Sequence, residues 1–431
     1  MKHSRPFVEG TIILTISSLF SRCIGFCNRI FLSNLIGAHQ MGIYQLIFPI
    51  YLVGFSFCFQ GFETALTKIV SSLIAKHRKK ESYLLLNETL KFSLLLSLIF
   101  VVIVEFLAQP ICVIFLHETS CVICLRIALL ALPFVGIKGS FHSYSTGLGK
   151  PGISAISLCL EQVIRVLSIY VISLTFYSML PVPALIAVLG MVIGEILSCI
   201  FTVAAFYHFH TPSYEKKEKS NYFSHLLNLG IPLTCNNLCV TVLSSIENIL
   251  IPLSFTLFYE NGHYAIELYG IITGMTLPFI LFPSTVTNAL STMLVPKVSE
   301  TLAKQNMTLL RQLETKSIGV SIFIGTTSFV LFHMFGNTLG NLVFHNQDCG
   351  RFLTSMSFLC PFLYVSGTLS SILNGLGKTK ITLLHNVISL SIRIVFILLI
   401  VPVLGINGYF LGLLTSSMLQ VILNYRSILN F

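Results

Sequence analysis

Tryptophan is absent from the chain, and charge is scarce. Only 10% of its 431 residues are Asp, Glu, Lys or Arg, against about 25% in a soluble domain. So little charge excludes a water-soluble globular fold. With 54% hydrophobic residues and a mean hydropathy of +0.86, the chain reads as an all-α polytopic membrane protein. An open sheet edge would leave backbone groups unpaired in lipid. Without Trp, an interfacial aromatic belt must be built from the 15 Tyr and 35 Phe.

Other absences narrow the function. Neither Gly147-Leu-Gly-Lys150 nor Gly375-Leu-Gly-Lys378 has the GxxxxGK[ST] spacing of a nucleotide loop. They read as tight turns, and any transport is secondary or passive. Twelve cysteines are scattered through apolar runs, with one CxxC at Cys121 and Cys124 and no second ligand pair. They read as small apolar residues, and no metal or other cofactor is expected. No basic stripe interleaved with aromatics stands on a soluble domain, so nucleic acid is excluded. The longest loop is about a dozen residues, too short for the carboxylate pair or metal motif of a membrane glycosyltransferase. The first apolar run, Ile12 to Ile36, is too long for a leader and has no small-residue cleavage site behind it.

What is present is a series of apolar runs, each near the ~20 residues that cross a bilayer as a helix. Twelve spans are predicted: 10–36, 43–75, 84–109, 121–145, 151–177, 182–208, 225–257, 264–295, 315–341, 350–374, 380–402 and 405–427. Lys and Arg fall on alternate sides of this series. One side holds Lys2 and Arg5, then Lys76 to Lys80, Lys150, Lys216 to Lys219, Lys297 to Arg311, Lys378 with Lys380, and Arg426. The other side is nearly empty of base. The positive-inside rule puts both termini in the cytoplasm, and the location expected is a bacterial cytoplasmic membrane.

A shift of 228 residues exposes an internal repeat. The two GLGK segments align, as do Pro133-Phe134 with Pro361-Phe362, Gly139 with Gly367, and Arg165 with Arg393. Upstream, Gly42-Ile43, Thr64, Val70-Ser71 and Ala75-Lys76 align with Gly270-Ile271, Thr292, Val298-Ser299 and Ala303-Lys304. The chain is therefore expected to form two six-helix lobes, 1–213 and 214–431, joined by a polar cytoplasmic linker at 211–222. Because six is even, the repeat is parallel, and a central cleft that opens to either side by rocking is expected.

Polar residues recur on single helix faces. The first span carries Ser18, Arg22, Gly25 and Arg29, its arginines two turns, about 10 Å, apart. A guanidinium in mid-bilayer costs roughly 3 kcal/mol or more, so this face should border protein or water. A wet cationic crevice would suit phosphate or carboxylate. The fifth span carries Ser154, Ser157, Glu161, Arg165 and Ser168, with Glu161 and Arg165 reading as an ion pair. The eleventh carries His385, Ser389 and Arg393. The seventh carries Asn237, Thr241, Ser244, Glu247 and Asn248, and the eighth Thr285, Asn288 and Thr292. Arg22 reads as a cargo contact. Arg29 has two readings, cargo contact or a gate against Glu247 across the lobes. Arg393 either meets an anion or snorkels to a headgroup. Glu63, Glu105 and Glu195 are lone carboxylates along the sequence, packed or, for Glu63 above all, able to couple a cation. Pro49, Pro133, Pro232, Pro278, Pro283 and Pro361 read as helix kinks.

The opening GTIILTISSLFSRCIGFCNRI, the Phe48-Pro49 pair and the basic end of the second span resemble the stage V sporulation protein B group. That group lies in the polysaccharide and lipid II flippase branch of the multidrug/oligosaccharidyl-lipid/polysaccharide (MOP) exporters. The resemblance implies two lobes around a cationic cavity and a polyprenyl-pyrophosphate-linked sugar as cargo. It also implies a functional role for Arg22, and places the second helix-1 arginine of lipid II flippases at Asn28. Many members add two C-terminal helices lining a lipid-tail groove, whereas twelve spans are read here.

The function expected is thus a monomeric flippase of lipid-linked oligosaccharide in contact with anionic lipids. The pyrophosphate would meet Arg22, Arg29 and Arg393, and the sugar Asn28, Asn237, Ser244 and Asn288. Glu247, Glu161 and Arg165 would form gating or structural pairs. Coupling to Na+ or H+ has Glu63 as its candidate. The rival is a cation-coupled multidrug exporter, which would want an acidic, aromatic cavity.

Overall fold

The computed structural model describes residues 5–209 and 222–430, with side chains from residue 15 onward. The linker expected at 211–222 lies outside the described residues except for Tyr222, as do Lys2 and the side chain of Arg5.

All regular structure among the described residues is helical. In order the helices are α1 (Arg5–Phe55), α2 (Gly61–Ala75), α3 (Lys79–Pro110), α4 (Cys121–Leu129), α5 (Leu132–Gly147), α6 (Gly152–Thr175) and α7 (Ala184–Phe209). There follow α8 (Phe223–Tyr259), α9 (Gly262–Gly270), α10 (Leu277–Leu281), α11 (Ser284–Ala303), α12 (Met307–Phe344) and α13 (Gln347–Met356). The last four are α14 (Leu359–Gly375), α15 (Thr379–Leu399), α16 (Val401–Leu404) and α17 (Ile406–Leu429). π-helical turns at Ser56–Gln60, Ile111–Phe115 and Ile271–Thr276 join α1 to α2, extend α3, and join α9 to α10.

Among the described residues ten helices are long and apolar enough to cross a membrane, or eleven if the bent pair α13–α14, angled at 57°, is one span. The longest run, Thr15–Ala75, has 61 residues, far more than one crossing needs. It is interrupted at Gly37, whose φ of 78° and ψ of 172° leave the helical region.

Local sequence sets the ends. Asn261, Asn306 and Asn346 cap α9, α12 and α13, each side-chain oxygen accepting from the backbone N–H three residues on, at 3.1, 3.0 and 2.8 Å. The two GLGK segments close α5 and α14 with the same bonds. Lys150 N–H reaches Ser145 O at 3.0 Å, and Lys378 N–H reaches Leu373 O at 2.9 Å. Gly149 and Gly377 have φ of 72° and 79°, the left-handed turn that glycine makes without Cβ strain. These are the tight turns read from the sequence. Pro133 and Pro278 lie in the first turns of α5 and α10, each inside a longer helical run, Cys121–Gly147 and Gly262–Leu281, at the point where its regular α-helix is interrupted, and Pro49 lies inside α1.

Two compact units result. One contains the described residues of Met1–Gly25 and Leu46–Ser245, the other Phe26–Gln45 and Ile246–Phe431. Neither is one unbroken stretch, because α1 and α8 each contribute to both. The first unit is centred on Leu66, Val70, Phe141, Tyr144 and Phe206, the second on Val298, Leu369, Ile372 and Leu373. The repeat is visible inside each. A Cβ on Gly147 would lie 2.8 Å from Val70, and one on Gly375 2.8 Å from Val298.

Candidate functional site

Helix association in lipid depends on close packing and polar contacts, because lipid tails are as apolar as the helices. In the first unit α7 carries a stripe of small residues at one-turn spacing, Gly190, Gly194, Ser198 and Thr202. Gly194 lets α6 approach until an added Cβ would stand 3.2 Å from Glu161 O and 3.3 Å from the Arg165 Cβ. This close seam encloses the polar face of α6. Ser157 hydroxyl lies 2.7 Å from Thr202 hydroxyl.

Further along the seam lies a buried ionic cluster drawn from three helices. Lys138 of α5 donates to Glu161 Oε2 at 2.8 Å, to Ser198 Oγ at 3.3 Å, and to Glu195 Oε2. Arg165 donates to Glu161 Oε1 at 2.6 Å and stands 3.6 Å from Glu195 Oε1. Gln162 adds a bond of 3.3 Å to Glu161. Lys138, Glu161 and Glu195 expose only 6%, 7% and 8% of their surface, so nearly all their solvation must come from one another. The expected Glu161–Arg165 pair is therefore present as part of a larger set. Glu195, isolated along the sequence, is not isolated in space. Glu105 is ion-paired too, with Arg126 at 3.0 Å.

Glu63 sits beside this cluster without joining it. It lies on α2 against Gly139 of α5, where any Cβ would collide with its Oε1. That oxygen is buried with no hydrogen-bond partner. One turn on, Thr67 donates to Ser143 O at 3.1 Å and fixes the register of α2 on α5.

The second unit carries a simpler site. Arg393 of α15 is ion-paired with Glu247 of α8 at 3.0 Å, with side-chain exposures of 27% and 5%. Arg393 Nε is buried and unpartnered. The buried Tyr409 stands beside the pair. Glu247 is thus paired with Arg393. The polar stripe of α15 is divided between two directions. His385 Nδ1 meets Asn424 Oδ1 of α17 at 2.7 Å, and Asn424 donates on to Ser370 at 3.0 Å. Ser389 donates to Ser416 O at 3.2 Å. These contacts make a seam with α17, whereas Arg393 turns to α8.

The remaining expected residues divide between the units. Arg22 is in the first, exposed, with no hydrogen bond or ion pair to any described residue. Asn237 and Ser244 are also in the first and half-buried. Asn28, Arg29 and Asn288 belong to the second. Asn28 is 7% exposed with an unpartnered Oδ1, and Arg29 is half-buried. Asn288 makes a 3.5 Å contact with Ser284.

Lys138 is the residue that reading the sequence missed. It stands in the run Pro133-Phe-Val-Gly-Ile-Lys138, and the cost of a mid-span cation that singled out Arg22 and Arg29 applies equally to it.

Solved structures share the fold. The chain superposes on a lipid II flippase MurJ in an inward closed conformation with a TM-score of 0.74 at 14% identity, covering 97% of this chain and 87% of the other. It superposes on an inward-facing multidrug resistance MATE family transporter of the MOP superfamily with a TM-score of 0.70 at 13% identity, covering 97% of each. The fold is that of the MOP transporters, as the resemblance implied. A model of the polysaccharide biosynthesis protein family matches residues 7–302. The chain belongs to the polysaccharide biosynthesis protein family. It is 24% identical to the stage V sporulation protein B of Bacillus subtilis (strain 168), across 98% of this chain and 84% of the relative. It is 21% identical to the lipid II flippase MurJ of the same organism, across 95% and 80%.

Proposed function

We propose that the chain is a flippase that moves a polyprenyl-pyrophosphate-linked oligosaccharide across the cytoplasmic membrane. The observation that carries this reading is Arg22, an exposed guanidinium on a membrane-length helix with no carboxylate among the described residues to neutralise it. A guanidinium costs too much in lipid to be kept there without an anionic partner, and its planar donors match phosphate oxygens. Similarity to a stage V sporulation protein B and to a protein named as a lipid II flippase points to the same cargo class. In this reading two six-helix lobes, divided near residue 213, rock about a central crevice with both termini in the cytoplasm. The protein acts as a monomer. Arg22, Arg29 and Asn28 meet the pyrophosphate, Asn237, Ser244 and Asn288 the sugar, and Arg393 joins when an anion competes with Glu247. The polyprenyl tail stays in lipid, and anionic lipids border the basic loops.

The test is reconstitution in liposomes carrying a fluorescent polyprenyl-pyrophosphate sugar, with leaflet exchange followed by quenching from outside. Exchange above that of protein-free liposomes is expected. Exchange equal to that of empty liposomes, from protein shown to be folded, rejects the reading. A second reading, cation-coupled multidrug export, is favoured by the unpaired carboxylate Glu63. Resistance to cationic dyes on expression, without flipping of the labelled lipid, would support it.

A further inference from the structure

The charges of the buried cluster and its neighbour Glu63 do not balance. Glu63, Glu161 and Glu195 contribute three carboxylates, while Lys138 and Arg165 contribute two cations. Glu161 and Glu195 are both held by the two cations. Lys138 is the charge nearest Glu63 in effect, yet its ammonium is directed to Glu161, Glu195 and Ser198. The surplus therefore falls on Glu63, whose Oε1 is sealed against Gly139 without a donor.

We propose that Glu63 binds one exchangeable proton, and that its protonation brings the buried cluster to neutrality. An ionised carboxylate with a sealed, unpartnered oxygen costs several kcal/mol in an apolar interior, and protonation removes the charged part of that cost. A metal ion suits the place less well. Hard cations take about six or more oxygen ligands, and among the described residues no group of three or more His, Cys, Asp or Glu is placed to hold a metal. Lys138 already puts a positive charge between Glu161 and Glu195, and would repel a second cation.

Of the charged groups, Lys138 is the one that acts on Glu63, and the groups gathered around Lys138 come from three helices. From α5 comes His142, beside Lys138 and Glu161. From α6 they are Glu161 and Arg165, and from α7 Glu195 with Cys199 beside it. From α8, neutral Thr234 packs on Gly61 at the start of α2. His142 Nε2 is also buried and unpartnered. A proton there would add an unpaired donor next to Lys138, so Glu63 is the favoured acceptor. Two features permit exchange. The Glu63 side chain as a whole is only part-buried. The π-helical turn Ser56–Gln60 ends three residues before it, a distortion that often marks functional sites.

The second unit shows what the surplus is not needed for. At the repeat shift of 228, Glu63, Lys138 and Gly139 correspond to Ser291, Ser366 and Gly367. The glycine is kept there, while the charges are replaced by hydroxyls. The proton site is therefore a property of the first unit. Its use in transport rests on the flippase reading, but its existence does not.

The experiment is infrared difference spectroscopy of the full chain in nanodiscs without substrate, with isotope-labelled glutamate, titrated with pH. One protonated-glutamate carbonyl band is expected, lost as pH rises and absent in Glu63→Gln. Persistence of the band in Glu63→Gln, or its absence at every pH in the wild type, overturns the proposal. Loss of the band on adding sodium at fixed pH also overturns it, by showing a metal cation instead. Lys138→Met should add a second band, since another carboxylate then loses its counter-charge. If that variant does not fold, the wild type and Glu63→Gln still decide. A failed flipping assay leaves this measurement untouched.

Discussion

Glu161 and Arg165 lie one turn apart on α6 and are joined at 2.6 Å, and the opposite oxygen of Glu161 holds Lys138 at 2.8 Å. One carboxylate thus bridges two cations from two helices, and Glu195 shares both. Removing one member of a buried set leaves the others uncompensated, at a cost of about 3–5 kcal/mol. Glu161→Gln should therefore lower the melting temperature in detergent markedly and reduce the monodisperse fraction. A melting curve matching the wild type would show that the cluster does not hold the unit together.

The Arg393–Glu247 pair separates stability from transport. Arg393→Ala leaves Glu247 buried and unpaired, again at about 3–5 kcal/mol. The double variant Arg393→Leu with Glu247→Leu should recover most of that loss, because apolar replacement of a buried pair is often neutral. If Arg393 also meets cargo, the double variant stays slow in the liposome assay while its melting temperature returns. Recovery of both would make the pair purely structural.

Arg22 has no partner among the described residues, so Arg22→Ala should leave the melting temperature and membrane level unchanged. Surface substitutions away from buried features stay within about 0.5 kcal/mol. Complementation of a flippase-deficient strain should nonetheless be lost. Full complementation by this variant rejects the role of the guanidinium.

Two glycines make a contrast. At Gly139 the backbone is helical but a Cβ would enter the space of Glu63 Oε1. Gly139→Ala should cost about 1–3 kcal/mol by overpacking, and Glu63→Ala in the same chain should relieve it. At Gly149 there is open space, but φ is 72°. Gly149→Ala should cost about 1–2 kcal/mol, with no relief from Glu63→Ala. Melting temperatures of the four variants check both.

The helices, the repeat and the GLGK turns were legible because each depends on neighbours in the chain. Apolar runs of bilayer length, a shift of 228, and glycine at a left-handed turn are local patterns. The i,i+4 pair of Glu161 and Arg165 was legible for the same reason, since one helical turn brings them together. Lys138 and Glu195 were not recognised as partners, because they lie 57 residues apart on α5 and α7 and meet only in the folded unit. The Glu247–Arg393 pair was missed similarly. A lone Arg in a span states that it needs an anion but not which one.

Spacing along the chain therefore fixed what kind of protein this is: helical, membrane-bound, duplicated, with cations placed where lipid does not tolerate them. Packing between helices assigned the partners, giving Glu247 to Arg393 and both Glu161 and Glu195 to Lys138, and leaving Glu63 with none. The reason is range. Hydrophobicity and backbone geometry act between near neighbours in sequence, whereas an ion pair in a low-dielectric interior is settled by whichever opposite charge the folded chain brings within about 4 Å.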